Sequence, residues 1–299
     1  MIRVILNGKK AHLEEVRSAV SSLREEAGTV EVRVTREQGD AVRLVKEASR
    51  EGIERIIAAG GDGTVNEVVN ALAGLEKQVR PTLGIMPLGT ANDFATACSL
   101  PQDLTEALRL AVHGRPVPID IGKANNRYFI NVATGGFVTQ VTATVPTQVK
   151  NILGGSAYTL AALVKSLNFA PRHGRLAAEG VDIEGSAITG AVCNCRQAGG
   201  GQVLAPNAYI NDGLFDVMII LTFPLADVTQ VIQEILNPDM DGEYVRRFRS
   251  SWVESWPSAR RNVNLDGEPF EADHIRFEVL PGEIKLVLPK HCPCLIKSS

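Results

Sequence analysis

The stretch Gly60-Gly61-Asp62-Gly63-Thr64 joins an apolar run to a segment with helical spacing. The run before it, Ile56-Ile57-Ala58-Ala59, is typical of a buried strand. Apolar residues after it recur at i, i+3, i+4 and i+7, the spacing of one helix face: Val65, Val68, Val69 and Leu72. Glycines let backbone N–H groups approach a ligand closely, and a helix N-terminus adds unpaired donors and partial positive charge. The stretch therefore predicts a phosphate site at a strand–turn–helix junction.

A second glycine turn lies within residues 84–95, Gly-Ile-Met-Pro-Leu-Gly-Thr-Ala-Asn-Asp-Phe-Ala, again between an apolar stretch and a helix-like segment. Two such turns at the ends of consecutive strands can line one crevice. A glycine turn alone is also consistent with an ordinary strand-to-helix turn in which Thr64 caps the helix. Asp62 lies between glycines, where its carboxylate could face a metal ion or a polar ligand.

The composition narrows the class of protein. The chain has 299 residues, enough for two domains or one large one, and 44 % of them are apolar. Its net charge of −3 gives no general argument for nucleic-acid binding, so we expect no nucleic-acid partner. No apolar run approaches the ~18 residues that a membrane-spanning helix needs. The N-terminal residues 1–6 resemble a first strand and not a signal peptide, so we expect a cytoplasmic protein.

The five cysteines suit that compartment, since an odd number is a poor disulfide framework. Four of them form two Cys-x-Cys pairs, Cys193/Cys195 and Cys292/Cys294. A joint zinc site is conceivable, but this spacing is not that of the usual zinc ribbon. The favoured interpretation is that they are small residues packed in or near strands.

The first ~120 residues alternate strand and helix signals. The predicted strands are 2–6, 30–34, 55–59 and 83–86, and the predicted helices are 13–26, 40–50 and 104–112. This alternation predicts an α/β domain with a mostly parallel sheet and helices on both faces. Ligands of such sheets bind at the carboxyl ends of the strands, where Asn7-Gly8, Thr35 and both glycine turns fall.

The pattern changes near residues 116–120, after which short strand-like runs are broken by Gly, Pro and Asn. The predicted strands are 119–124, 128–133, 175–178, 187–193, 214–221, 261–265, 274–280 and 283–288, interrupted by helices at 156–168 and 225–236. Such spacing is typical of a β-sandwich or barrel. We therefore predict an α/β domain over residues 1–120 and a mainly β domain over 121–299. The last ~15 residues either finish the second domain or return to the first.

Four motifs occur in order along the chain: Gly60-Gly61-Asp62-Gly63-Thr64, Pro87-Leu88-Gly89-Thr90-Ala91-Asn92-Asp93-Phe94-Ala95, Asn211-Asp212-Gly213-Leu214 and Asp266-Gly267-Glu268. Together they resemble the diacylglycerol kinase catalytic family, and most closely the bacterial YegS-type lipid kinases, to which residues 196–202 are also similar. The resemblance covers essentially the whole chain. It implies an N-terminal nucleotide-binding domain related to NAD kinases and phosphofructokinases, and a C-terminal β-sandwich. It also implies ATP-dependent phosphorylation of a lipid hydroxyl with Mg²⁺ or another divalent cation.

The same resemblance implies site residues. The nucleotide-binding residues are Thr35, Gly61, Asp62, Gly63, Thr64, Val65, Asn66, Glu67 and Thr90. The metal ligands are the Asp212 carboxylate and the main-chain carbonyls of Tyr209 and Leu214. Each threonine, seen in isolation, would be better explained as a helix cap or a solvated hydroxyl. Asn211-Asp212-Gly213 is also an ordinary turn sequence.

Glu268 lies just past an Asp-Gly hairpin signal, in the position of the family's proton acceptor. A carboxylate within reach of the lipid hydroxyl would assist its attack on the γ-phosphate. Asp266 is the alternative base. Asp93 either orients substrate or metal, or caps a helix near Asn92.

A basic cluster near Trp252 and Trp256 suggests how the protein reaches a lipid; its members are Arg246, Arg247, Arg249, Arg260 and Arg261. Basic residues and tryptophan suit a membrane surface, so we expect transient peripheral contact with the inner face of the membrane. The alternative interpretation, to which we give equal weight, is a solvated basic face with both tryptophans packed inward.

Three functions stay open. The first is a lipid kinase, with phosphatidylglycerol as the first lipid to consider. The second is a soluble-substrate kinase such as an NAD kinase, which shares the Gly-Gly-Asp-Gly turn, although residues 87–95 resemble lipid kinases instead. The third is a non-catalytic nucleotide or lipid sensor, against which the presence of Asp62, Asp212 and Glu268 together argues. The sequence does not indicate an oligomeric state.

Overall fold

The structure, a computed structural model, describes residues 1–27, 30–135, 172–240, 242–258 and 260–296. Its N-terminal half is built on four parallel strands: β1 (Ile2–Asn7), β2 (Val30–Thr35), β3 (Arg55–Gly60) and β4 (Thr82–Pro87). Five helices accompany them: α1 (Glu14–Ala27), α2 (Asp40–Arg50), α3 (Asp62–Ala73), α4 (Asp93–Ala97) and α5 (Leu104–His113). Short 3-10 turns lie at Gly8–Lys10 and Lys77–Val79.

The four strands are ordered β2-β1-β3-β4, and alternate residues of each strand point to opposite faces. Ile56 and Ala58 of β3 belong to an apolar cluster with residues of α2 and α3. Ile57 and Ala59 belong to a second cluster with residues of α1 and α5. Both faces of the sheet are therefore covered, which is why β3 reads as a continuous apolar run. The predicted parallel α/β sheet with helices on both faces is confirmed.

The C-terminal half is mainly β, as predicted, and most of its strands pair antiparallel. Its strands are β5 (Pro116–Ala124), β6 (Arg127–Phe129), β7 (Val132–Gly135), β8 (Arg172–Ala178), β9 (Val181–Cys193), β10 (Gln197–Ala198), β11 (Gln202–Val203), β12 (Phe215–Leu221), β13 (Val245–Ser250), β14 (Trp252–Pro257), β15 (Arg261–Leu265), β16 (Glu268–Ala272) and β17 (Ile275–Val287). A 3-10 turn, Leu225–Asp227, leads into α6 (Val228–Leu236). Its apolar core includes Phe129 and Phe215, whose stacked rings lie 5.6 Å apart.

The long strand β17 connects the two halves. It pairs antiparallel with β5 and β14, and its carboxyl end pairs in parallel with β4 through Leu286 and Leu83. Fifteen of the described strands therefore form one continuous sheet. Beyond β17, Cys292 and Cys294 join the apolar cluster that contains Phe94 of α4. The division into residues 1–120 and 121–299 stays a proposal, and β5 crosses that boundary.

Several strand predictions were wrong for a physical reason. The predicted strand 128–133 breaks between β6 and β7, because the N–H groups of Ile130 and Asn131 donate to the Asp266 carboxylate and not to a neighbouring strand. The predicted strands 274–280 and 283–288 form the single strand β17, whose pairing with β5 shifts between Leu280 and Ile284. The strands β13, β14 and β16 were not predicted, since charged residues interrupt each of them and β14 and β16 also contain a proline.

The predicted helix 156–168 lies outside the described residues. Among the residues that are described, no helix is both long and apolar enough to cross a membrane.

Candidate active site

A cleft of about 730 Å³ lies between the two halves of the molecule. On one side it is lined by the turns that follow β3 and β4, residues 61–63 and 89–91. On the other side it is lined by residues 130–132, by the glycine loop 199–200, and by the turn between β15 and β16. The two glycine turns therefore line one crevice at the carboxyl ends of adjacent strands.

The first glycine turn leaves the N-terminus of α3 open to this cleft. Gly61 is the N-cap residue of α3 and provides no side-chain cap, so the first N–H groups are available to an anion. A Cβ on Gly61 would lie 3.0 Å from the Cα of Gly89, so the two turns touch backbone to backbone. The alternative in which Thr64 caps the helix is wrong, because Thr64 lies inside the first turn of α3.

Thr64 is hydrogen-bonded to Asn7, for which the sequence analysis predicted no contact. Its hydroxyl accepts a hydrogen bond of 3.0 Å from the side-chain amide of Asn7, which ends β1. Asn7 pairs in register with Thr35 at the end of β2, so Thr35 lies at the same sheet edge. Thr90 lines the cleft directly, whereas Thr35 is not among the lining residues. The sequence did carry a signal for Asn7, because it is a polar residue at the carboxyl end of a predicted strand, where ligands of such sheets bind.

The remaining predicted nucleotide residues divide into two groups. Asp62, Gly63 and Val65 line the cleft. Asn66 is buried, and its side-chain amide donates a hydrogen bond of 2.9 Å to the Asp266 carboxylate. This amide therefore connects the two halves of the molecule. Glu67 is half-buried beside the cleft, and burial together with the nearby charge of Glu268 raises the pKa of the Glu67 carboxyl.

Asp62 ties the two glycine turns together. Its Oδ1 accepts a hydrogen bond of 3.3 Å from the backbone N–H of Phe94, in the first turn of α4. Burial raises the pKa of Asp62, backbone N–H groups at residues 93 and 94 act against that rise, and the Asp93 charge adds to it. The Asp62 carboxylate is therefore engaged in part by the protein itself.

Asp93 holds the glycine loop of the opposite half. Its carboxylate oxygens accept hydrogen bonds of 2.9 and 2.6 Å from the N–H groups of Gly200 and Gly201. The side-chain amide of Gln197 donates 2.9 Å to the Asp93 carbonyl. Gly199, Gly200 and Gly201 have φ of 66°, 87° and 94°, a conformation that glycine adopts readily. Asp93 is thus a positioning residue that fixes both sides of the cleft relative to each other.

Both oxygens of the Asp266 carboxylate are occupied by hydrogen-bond donors. It accepts hydrogen bonds of 2.7 to 3.0 Å from the Asn66 amide and from the N–H groups of Ile130, Asn131 and Val132. Burial raises the pKa of Asp266, while these hydrogen bonds favour the charged form. Such a saturated carboxylate argues against the alternative in which Asp266 is the base.

Glu268 differs from Asp266 in exposure and in hydrogen bonding, although both residues line the cleft. It is exposed at the start of β16 and lines the cleft. Its Oε1 lies 3.9 Å from the position that a Cβ on Gly63 would take, so it faces the phosphate turn. Its carboxylate has no hydrogen-bond or ion-pair partner among the described residues, which leaves it free to accept a proton.

We expect Asp266→Asn to destabilise the fold. The amide group would direct N–H donors at backbone N–H groups that now find an acceptor, and an unmet buried group costs about 1–3 kcal/mol. Urea unfolding should show that loss. Asp182→Asn is the matched control, because Asp182 forms an exposed ion pair with Arg175 worth less than about 1 kcal/mol. Wild-type stability with abolished turnover would show instead that Asp266 acts chemically.

The predicted metal residues lie away from the cleft, since none of Tyr209, Asp212 and Leu214 is among its lining residues. The Asp212 side chain is 5 % exposed, contacts the Arg249 guanidinium, and accepts a hydrogen bond of 3.0 Å from the Leu214 N–H. Arg249 also bonds Asp216 at 3.2 Å. One guanidinium therefore serves two carboxylates.

A third carboxylate, that of Asp120, adjoins the pair. Its oxygens accept hydrogen bonds of 2.7 and 2.8 Å from the N–H groups of Gly213 and Gly282. Burial raises the pKa of both Asp120 and Asp216, and the charge of Asp212 adds to each rise. Oxygen donors with surplus negative charge fit a hard divalent cation such as Mg²⁺.

The arginines of the predicted basic cluster do not share one surface. The Arg247 guanidinium donates to the carbonyls of Glu234 and Ile235 at 2.9 and 3.1 Å, inside the C-terminal half. Arg249 is engaged by the aspartates, and Arg260 pairs with Glu271 at 3.4 Å. Strand alternation places Arg246 on the opposite face of β13 from Arg247 and Arg249.

The tryptophans are also only partly inward. Trp256 is 37 % exposed and stacks on His274 at 5.3 Å, with the Arg175 guanidinium 5.4 Å from its ring. Trp252 is half-buried beside Arg276.

Comparison with known proteins agrees with this architecture. Residues 1–124 match the diacylglycerol kinase catalytic domain, and residues 131–288 match the YegS C-terminal NAD kinase beta sandwich-like domain. A "Probable lipid kinase YegS-like" of Shewanella frigidimarina is 45 % identical over 299 residues, covering 100 % of this chain and 97 % of the relative. A relative of the same name from Chromohalobacter salexigens is also 45 % identical, over 96 % of this chain and 93 % of its own length.

The same relationship is seen in three dimensions. The crystal structure of a "putative diacylglycerol kinase" from Bacillus anthracis str. Sterne superimposes with a TM-score of 0.80, at 26 % identity, over 97 % of each chain. Both halves, in this order, thus match related proteins over nearly the full length of the chain. The chain belongs to the YegS family, within the diacylglycerol kinase catalytic domain family.

Proposed function

We propose that this protein is an ATP-dependent lipid kinase that transfers the γ-phosphate of ATP to a lipid hydroxyl within the cleft between its two halves. One observation carries the proposal: the uncapped N-terminus of α3 and the free carboxylate of Glu268 face each other across that cleft. Phosphoryl transfer requires fixed phosphates and a nearby acceptor for the proton of the attacking hydroxyl. The names of the relatives support a lipid as the acceptor.

The phosphates of ATP bind at the two glycine turns in this account. Backbone N–H groups at residues 61–63 and the α3 dipole stabilise their charge, and Thr90 contributes from the second turn. Glu268 accepts the proton of the lipid hydroxyl as the oxygen attacks the γ-phosphate, whose bond to the bridging oxygen breaks so that ADP leaves. Asp62 and Asp93 keep both turns and the glycine loop in place, so the reacting groups meet in one orientation.

A divalent cation is the second part of the proposal. Asp212, with the main-chain carbonyls of Tyr209 and Leu214, would hold Mg²⁺, which would offset the surplus negative charge of Asp212, Asp216 and Asp120 when bound. Because these residues do not line the cleft, we propose that the ion stabilises the structure of the C-terminal half.

We further propose that the protein acts at the cytoplasmic face of the membrane through transient contact. Exposed Trp256 with Arg175 against its ring supports such contact, because tryptophan and basic side chains both suit the interface. Phosphatidylglycerol is the first lipid to test as acceptor.

The function is tested by offering γ-labelled ATP with phosphatidylglycerol, diacylglycerol, ceramide or NAD. We expect label in a lipid product and none in NAD. Label in NAD would show a soluble-substrate kinase. ATP binding without transfer to any acceptor would favour a sensor.

We expect Asp212→Ala to lower Mg²⁺-stimulated activity by at least about tenfold, since loss of groups that organise a metal site costs at least that much. ATP affinity should be retained, because Asp212 does not line the cleft. A magnesium titration of activity and an ATP-binding isotherm measure the two effects. Asp239→Ala, at an exposed position after α6, is the control. Full activity with unchanged magnesium dependence would place the ion elsewhere, for instance at Asp62.

A further inference from the structure

Four cysteines from distant parts of the chain converge at one buried place. The sulfur atoms of Cys98, Cys195 and Cys294 all lie within 4.8 Å of one another, and each residue is 0 % exposed. Cys292, which is 7 % exposed, lies beside Cys98 and Cys294 but is not one of the three residues whose sulfur atoms all lie within 4.8 Å of one another. Cys98 ends α4, Cys195 follows β9, and the other two belong to the segment after β17. The fifth cysteine, Cys193, is buried elsewhere.

The separation between the Cys195 and Cys294 sulfur atoms suits a tetrahedral thiolate site. Zinc binds sulfur at about 2.3 Å, so two ligands at neighbouring corners of a tetrahedron stand about 3.8 Å apart. The sulfur atoms of Cys195 and Cys294 are 3.7 Å apart. A disulfide would require about 2.05 Å, and the five cysteines are free. The spacing therefore matches two ligands of one ion better than a bonded pair.

Two backbone N–H groups near the sulfurs resemble the outer contacts of metal–thiolate sites, whereas the Ala97 carbonyl accepts a hydrogen bond of 3.1 Å from the Cys294 thiol when no ion is bound. The N–H of Arg196 points to the Cys195 sulfur, and the N–H of Cys294 points to the Cys292 sulfur. The Arg196 guanidinium donates 2.6 Å to the carbonyl of Pro293, between the two C-terminal cysteines. Such donors and a nearby cation favour the anionic thiolates that a soft divalent ion needs as ligands.

We propose that Cys98, Cys195, Cys292 and Cys294 bind one structural Zn²⁺. The ion connects α4 of the N-terminal half, the segment after β9, and the C-terminal segment. Cys195 is two residues from Gln197, whose side chain donates a hydrogen bond to the Asp93 carbonyl. The zinc site therefore adjoins the start of the glycine loop that Asp93 holds. Four protein ligands leave no open position, so the ion stabilises the contact between the halves and takes no part in phosphoryl transfer.

Metal analysis of the purified full-length protein tests this site without an activity assay. Protein expressed with zinc in the medium and passed through gel filtration should carry about one zinc per chain. Expression with cobalt in place of zinc should give the intense visible and near-ultraviolet bands of tetrahedral Co²⁺–thiolate. Cys195→Ser should reduce bound zinc severalfold and lower Tm, whereas Cys193→Ser, at a buried cysteine outside the cluster, should retain the metal.

The wild-type protein alone can overturn the proposal, even if Cys195→Ser fails to fold. Protein without zinc, in which five thiols react after unfolding, would show that the cysteines only pack together. Three reactive thiols would show a disulfide. Bound iron with visible absorption would show that the cysteines hold an iron–sulfur centre and not zinc. Equal zinc content in the wild type and in Cys195→Ser would exclude Cys195 as a ligand.

Discussion

Glu268→Gln is expected to lower kcat by about 10²–10⁴-fold, the usual cost of removing a general base. Glutamine keeps the size of the side chain but cannot take up the hydroxyl proton. Since Glu268 is exposed and makes no hydrogen bond or ion pair with the described residues, its replacement should leave the fold and the ATP affinity almost unchanged. Steady-state kinetics with saturating ATP and lipid, together with an ATP-binding isotherm, separate these effects.

The matched control for this prediction is Glu271→Gln on the same strand. Glu271 is exposed and, within the described part of the chain, pairs with Arg260, so its loss should barely change kcat. A change in KM alone for Glu268→Gln would show that Glu268 positions the lipid. Near wild-type kcat in Glu268→Gln would contradict its assignment as the base.

Gly63→Val is expected to weaken ATP binding by about tenfold to a hundredfold, since each lost hydrogen bond to a charged group costs about 1.5–3 kcal/mol. Gly63 is a sharper probe than Gly61, where a Cβ would approach the Cα of Gly89 at 3.0 Å. A Cβ on Gly63 meets only the Glu268 Oε1 at 3.9 Å, so the fold has room for the change. The valine side chain would instead occupy the space that the phosphates need.

Gly74→Val at the other end of α3 is the control. A Cβ there has its nearest neighbour at 3.5 Å, an ordinary contact, and Gly74 does not line the cleft. Calorimetric titration with ATP on folded variants gives the comparison. Equal ATP affinity in Gly63→Val and the wild type would show that the phosphates do not bind at this turn.

Local sequence patterns predicted the N-terminal half well. The strand before Gly60 and the helix after it are fixed by apolar periodicity and glycines within a short span, so they are visible without tertiary information. The observed bounds of α2 agree with the prediction for residues 40–50. The C-terminal half was predicted in class but less well in detail, because its strands gain their stability from partners distant in sequence.

The details that escaped prediction depend on long-range contacts. Asp266 splits a strand 136 residues away by accepting the Ile130 N–H, which no local pattern reveals. Asp93 was singled out, yet its bonds to Gly200 and Gly201 emerge only when the halves meet. The packing interpretation of the cysteines considered the Cys-x-Cys pairs, while Cys98, from the N-terminal half, completes the cluster.

The most direct test follows phosphorus from ATP into extracted lipid. ATP labelled at the γ-position, and in parallel at the α-position, is incubated with the protein, Mg²⁺ and phosphatidylglycerol or diacylglycerol in mixed micelles. Our account predicts lipid-borne label from γ-labelled ATP only, at equal rates for the wild type and Glu271→Gln, and at least about 10²-fold more slowly for Glu268→Gln. Absence of label in every lipid while ATP still binds, or equal transfer by Glu268→Gln, would contradict it.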